Sequence, residues 1–239
     1  MRTPQFLPSE AELSFTEARV TLRNYRKLVE EALAKLAVDL TAEEKAGFKA
    51  QIHGDDPRLG DAMVEIHELF RRKGVAATTQ FAHRSFILAV ISATEEQASV
   101  FCNALQVPKG LSKRWSDVKG TSPLDRLAEY AFDLAGLQKP ADTLWLAARS
   151  LEQIRHCIAH ANGNVTVSRD EVNLRALVGK VPGYGIDAEG RIVLDEATGQ
   201  HAIGVFSHLF FHLYEHAKLP GIPLPTGELK SRRARRGQR

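Results

Sequence analysis

The sequence predicts an all-α protein: an antiparallel helical bundle with an N-terminal helical extension and one small β-hairpin inserted between helices. Three observations carry that prediction. Apolar residues recur at intervals of three and four over long stretches. Several of these stretches open on residues that cap helices and close on glycine or asparagine. Only one stretch, Tyr184 to Leu194, reads as two short strands around a turn.

The first helix opens with a capping box, Ser9 with Glu12, and places Ala18, Leu22, Tyr25, Val29, Ala32 and Leu36 at helical intervals. A second box, Thr41 with Glu44, predicts a short helix ending near His53-Gly54, before Asp55-Asp56-Pro57 breaks the pattern. Met63, Ile66, Leu69 and Phe70 support a third helix, closed by Lys73-Gly74. Residues 1–77 thus read as a helical extension packed on the core, since its apolar stripes would otherwise face water. His53, Asp55 and Asp56 are metal-ligating residue types, but three scaffold helices explain the region without a site.

The core is expected over residues 78–219. On the helix from His83 to Leu105, the apolar line Ile87, Ile91, Ala98, Cys102 and Leu105 passes through Glu95, whereas Glu96 falls with Ser92, Ser99 and Asn103. Glu95 is therefore the inward carboxylate. The loop Lys109 to Thr121 sets Lys109, Lys113, Arg114 and Lys119 around Trp115. A nucleic-acid base could stack on that indole while Lys113 and Arg114 hold phosphates; alternatively, Trp115 anchors its loop to the core. Leu124 to Leu137 is a further helix, ended at Lys139-Pro140.

The organising helix runs from the capping residue Asp142 to the stop at Asn162-Gly163. Leu144, Ala147, Ala148, Leu151, Ile154 and Ile158 form its apolar stripe, and Arg155 lies close to that stripe. A guanidinium in that position must be paired or must line a cleft. Glu95 and Arg155, inward charges of opposite sign, form a candidate pair. His160 sits in the last turn, where unpaired carbonyls favour an imidazolium.

After Gly163 come the hairpin, with its turn at Asp187-Ala188-Glu189-Gly190, and an apolar helix from Gly204 to Lys218. His208, His212 and His216 recur along that helix, but three rings at this spacing span about 12 Å, too far for one metal ion. They read as exposed residues or as a surface facing a partner. Leu219 to Pro225 is proline-rich, and residues 220–239 are expected to be a disordered basic tail.

The formal charge of +3 conceals an asymmetry. Lys230, Arg232, Arg233, Arg235, Arg236 and Arg239 give the last ten residues +6, which leaves −3 on the rest. No apolar run approaches the ~20 residues of a membrane span, and the N-terminus lacks the apolar centre of a secretory signal, so a cytoplasmic location is expected. Cys102 and Cys157 are the only cysteines and sit in apolar helical contexts, which excludes a disulfide framework and argues against a cysteine zinc cluster. Neither cofactor nor metal is implied.

The spelling Arg155-His156-Cys157-Ile158-Ala159-His160, at the end of a long amphipathic helix, resembles the Arg-polar-x-x-x-His signature of the HEPN superfamily. These "higher eukaryotes and prokaryotes nucleotide-binding" domains are helical, and many are metal-independent endoribonucleases. The resemblance covers roughly Thr78 to Lys218, with the helix carrying Glu95 similar to a first core helix; the specific part is the segment from Arg155 to His160. It implies RNA cleavage by attack of the ribose 2′-hydroxyl, with His160 as general base or acid, Arg155 meeting transition-state charge and His156 orienting the substrate. Lys113, Arg114 and Trp115, with Arg232, Arg233, Arg235 and Arg236 of the tail, are the candidate RNA contacts.

Arg155 and His160 are five residues apart, about 140° around a helix, so they point in different directions. The resemblance implies a homodimer that brings two motifs together across one cleft. It also implies a setting in phage defence or a toxin–antitoxin system, with an antitoxin or regulatory protein as a second partner. Two other functions compete. One is a catalytically silent HEPN-like module that binds a nucleotide, RNA or an antitoxin; the other is a metal hydrolase using His156 and His160, which lacks the acid and the third ligand such sites need.

Overall fold

The computed structural model describes residues 6–36, Ala46 and 57–223. The second capping box, the loop residues His53, Asp55 and Asp56, and the tail residues Arg232, Arg233, Arg235 and Arg236 lie outside the described residues. No described helix is long and apolar enough to cross a membrane.

The fold is all-α with a small hairpin. In chain order the elements are β1 (Phe6–Leu7), α1 (Glu10–Leu36), α2 (Pro57–Gln106), α3 (Pro123–Ala128), α4 (Asp142–Ala161), α5 (Glu171–Ala176), β2 (Tyr184–Ile186), β3 (Ile192–Leu194), α6 (Glu196–Ala217) and β4 (Ile222–Pro223). Strands β1 and β4 pair antiparallel over two residues each. Strands β2 and β3 form the expected hairpin, with Tyr184 opposite Leu194 and Ile186 opposite Ile192.

The first capping box forms as expected. The Ser9 N–H donates to Glu12 Oε2 at 2.7 Å and the Glu12 N–H to Ser9 Oγ at 3.3 Å, which satisfies donors that the start of α1 would otherwise leave open. Other boundaries differ from expectation. Helix α2 runs unbroken for 50 residues, straight through Lys73-Gly74, and the expected junction at residue 77 falls inside it. A helical glycine costs only about 1 kcal/mol relative to alanine, and Gly74 has open space where a side chain would stand. After Ala128 the expected single helix widens into a π-helical segment, Glu129–Leu134, where the consecutive residues Tyr130, Ala131 and Phe132 are all buried. Helix α6 begins eight residues before Gly204 because Asp195 starts it, its Oδ1 accepting the Ala197 N–H at 2.8 Å.

Two compact units divide the chain, neither continuous in sequence and neither matching a division into residues 1–77 and 78–219. The first comprises residues 1–18, 94–140 and 209–239. Its core is aromatic: Phe15 stacks on Phe210 at 5.6 Å, and Phe101 meets Tyr214 edge to face at 5.0 Å. Such ring pairs add about 1 kcal/mol to the burial of their area. The Tyr214 hydroxyl donates to the Ala11 carbonyl at 2.8 Å, so the polar tip is satisfied inside this core.

The second unit comprises residues 19–93 and 141–208. Helix α4 buries Ala148, Leu151, Ile154, Cys157 and Ile158 and begins after Ala141, so Asp142 sits in the first turn rather than at the cap. Two α2 side chains hold the hairpin. Gln80 Nε2 donates to the Leu194 carbonyl at 2.9 Å while its Oε1 accepts the Leu194 N–H, also at 2.9 Å. Arg84 Nη2 donates to the Ile192 carbonyl at 2.5 Å.

Candidate functional site

The end of α4 shapes the site. Asn162 at φ 50° and Gly163 at φ 73° both take left-handed backbone, which glycine adopts without penalty and asparagine with a small one. The Cys157 carbonyl accepts both of their N–H groups, so the helix closes abruptly. Asn164 Oδ1 then accepts the Thr166 N–H at 3.0 Å, and residues Val165–Val167 make one 3-10 turn. This reversal returns Val167, Ser168 and Arg169 alongside the last turns of α4.

His156 and His160 are exposed on successive turns, their ring centroids 4.5 Å apart and the planes inclined by 47°. With Ala161, Val167, Ser168 and Arg169 they line an open cleft of about 380 Å³. Behind it lies Cys157, 1% exposed; burial pushes its thiol above the ordinary value, and the neighbouring Ser168 hydroxyl and Arg84 guanidinium oppose that shift without cancelling it. Such a thiol is a packing group rather than a nucleophile.

Arg84 supports the helix stop from below. A Cβ added at Gly163 would stand 3.1 Å from the Arg84 Cζ, so the guanidinium packs directly on the glycine. Burial lowers the Arg84 pKa, as does the positive charge of Arg191, while Asp187 opposes them. The hairpin completes the support: the Ile192 N–H donates to the Gly163 carbonyl at 2.8 Å and the Val165 N–H to the Gly190 carbonyl at 2.8 Å.

Arg155 is half-buried and is not among the residues that line the cleft. This follows from the rotation of about 140° between positions five apart. Glu95 is half-buried and Glu96 exposed, in keeping with the helical phase; Glu95 belongs to the first unit and Arg155 to the second.

The Trp115 loop belongs to the first unit, and its base-stacking role is corrected. The indole is 7% exposed, Tyr130 meets its edge at 6.0 Å and the Arg126 guanidinium covers a face at 4.4 Å. An indole so enclosed anchors its loop and has no face to offer a base. Lys113 pairs with Glu129 at 2.7 Å, whereas Arg114 is exposed. On α6, His208 is exposed, the His212 ring nitrogen Nε2 hydrogen-bonds the Gln138 carbonyl at 3.0 Å, and His216 Nδ1 bonds the His212 carbonyl at 2.9 Å.

Chemically, the cleft offers two imidazoles that can take and return protons and one permanent cation that can hold an anion. Among the described residues no group of three or more His, Cys, Asp or Glu side chains is placed to hold a metal ion. No family model, curated protein or solved structure matches the chain.

Ser168 and Arg169 are absent from the sequence-based candidates. The readable signal was local: a left-handed stop at Asn162-Gly163 followed by Asn164 and Thr166, which form an Asx turn, sends the chain back along the helix it has just left.

Proposed function

We propose that this chain is a metal-independent endoribonuclease working in the cleft beside His156 and His160. The observation that carries the reading is the pair of exposed imidazoles 4.5 Å apart, opening on a cleft with an arginine. An imidazole takes the 2′-hydroxyl proton, the O2′–P bond forms, and the P–O5′ bond breaks as an imidazolium returns a proton to O5′. The products are a 2′,3′-cyclic phosphate and a free 5′-hydroxyl. DNA, lacking the nucleophile, is inert.

In this reading Arg155 acts from a second copy of the chain, brought across a two-fold axis to meet charge on the phosphorane-like transition state. The basic tail adds sequence-independent attraction for RNA. The resemblance to HEPN nucleases supports the assignment, and a setting in phage defence or a toxin–antitoxin pair is part of the proposal. The deciding experiment is incubation of purified protein with total RNA in EDTA. Cleavage to cyclic-phosphate ends by the wild type, lost in His160→Ala, is the expected result; intact RNA in both refutes the nuclease.

The position of Arg155 outside the cleft of its own chain favours a second reading, a silent module that binds RNA, a nucleotide or an antitoxin. RNA binding without cleavage in the same experiment would select it.

A further inference from the structure

We infer that Arg169 is the phosphate anchor of the cleft, a binding residue supplied by the same chain as His156 and His160. The inference rests on the nuclease reading for its substrate class, an RNA phosphodiester.

The argument begins with how the residue is held. Val165 is 0% exposed, and its N–H is fixed to the Gly190 carbonyl at 2.8 Å. The Ser168 N–H donates to the Val165 carbonyl at 3.1 Å, Ser168 Oγ accepts the Asp170 N–H at 3.3 Å, and the Ser168 hydroxyl lies beside Cys157. On the far side Leu174 is 0% exposed, and its N–H donates to the Asp170 carbonyl at 2.9 Å. The backbone of Arg169 is therefore secured on both flanks, while its side chain is exposed on the cleft wall.

Its charge has little local competition. Glu171, the nearest glutamate in sequence, is held by Arg175 at 2.8 Å. Among the described residues Arg169 forms no ion pair and is the only lysine or arginine that lines the cleft. A planar guanidinium fixed at its root and exposed at its tip suits bidentate capture of a phosphate. The labour then divides: Arg169 binds the ground state, and the two imidazoles move protons.

The test uses the full chain and two matched oligonucleotides, a cleavable RNA and its 2′-O-methyl analogue, which keeps the phosphates but has no nucleophile. Arg169→Ala should weaken binding of the analogue and raise KM for the RNA by roughly tenfold each, the worth of one charge-assisted contact. Its kcat should stay within about twofold, its salt slope should fall by about one, and Arg169→Lys should recover part of the affinity. Because the side chain is exposed, thermal unfolding should be unchanged.

Unchanged affinity and KM in Arg169→Ala would overturn the anchor and leave the nuclease standing. A fall confined to kcat would also overturn it, as would a wild type that does not bind the analogue. A wild type that cuts no RNA, yet loses affinity for the analogue when Arg169 is removed, would keep the anchor and reject the nuclease.

Discussion

Gln80 places both ends of its carboxamide on a single residue, Leu194, donating to its carbonyl and accepting its N–H at 2.9 Å each. The two residues are 114 positions apart, and Leu194 is 1% exposed, so water has little access to replace the missing partner. We expect Gln80→Ala to cost about 1–3 kcal/mol, as for buried backbone groups left unpaired. Gln80→Glu should not rescue it, because a carboxylate faces the Leu194 carbonyl with no donor. Urea denaturation of both variants checks this, and wild-type stability in either would show that the clamp is dispensable.

Gly163→Ala should be destabilising for two reasons that act together. Alanine at a φ of 73° costs about 1–2 kcal/mol, and its Cβ would press on the Arg84 guanidinium 3.1 Å away. Asn162→Ala, which meets only the backbone penalty, should be milder. The order of the two melting temperatures is the measurement, and equal losses would show that the Arg84 packing does not matter.

The helices were legible because their burial follows a period that sequence displays: Ala148, Leu151, Ile154 and Ile158 of α4 are buried as their spacing requires. The stop at Asn162-Gly163 was legible because left-handed backbone is chemically selective. The continuity of α2 was not, since a glycine's modest cost can be outvoted by its neighbours and the letter alone does not show that vote. Nor was the partition into two interleaved units, which depends on contacts between distant segments. At the site, His156 and His160 were singled out by the spelling from Arg155 to His160, but Arg169 joins them only through an Asx turn and a hairpin that lie outside any helical period.

Stability should fall as the pH drops below 6.5. His83 and His201 are half-buried, and desolvation lowers both pKa values from 6.5; for His83 the carboxylates of Asp195, Glu30 and Glu196 oppose the shift without cancelling it. Their folded-state values lie below the unfolded one, so the unfolded chain binds more protons in that window and stability rises with pH. The contribution is present above pH 6.5 and lost as the pH falls through the folded-state values. Urea midpoints at pH 7.5 and 5.5 should differ less in the His83→Gln/His201→Gln double variant than in wild type, and an equal difference would assign the effect elsewhere.

The composite reading of Arg155 requires association. Light scattering at micromolar concentration should give about 53 kDa, twice the chain mass of 26.4 kDa. Mixing inactive Arg155→Ala with inactive His160→Ala chains should restore part of the cleavage, because each mixed dimer then has one cleft with an intact imidazole facing an intact guanidinium. A persistent monomer that cuts RNA would place every catalytic group within one chain.

The sharpest expectation separates the roles of three side chains. His160→Ala and Arg155→Ala should each lower kcat by roughly 100-fold or more, because one moves a proton and the other meets charge that grows only in the transition state. His156→Ala should retain part of the activity, since solvent can reach the exposed ring's position and exchange protons there. Arg155→Lys should restore little, because a point charge on a flexible stem does not reproduce a planar fork. Cleavage that survives the loss of Arg155 but fails in EDTA would return the two histidines to the metal hydrolase reading. Cleavage lost only in His160→Ala, with Arg155→Ala fully active, would confine the chemistry to the cleft and leave Arg155 a structural part in its own helix.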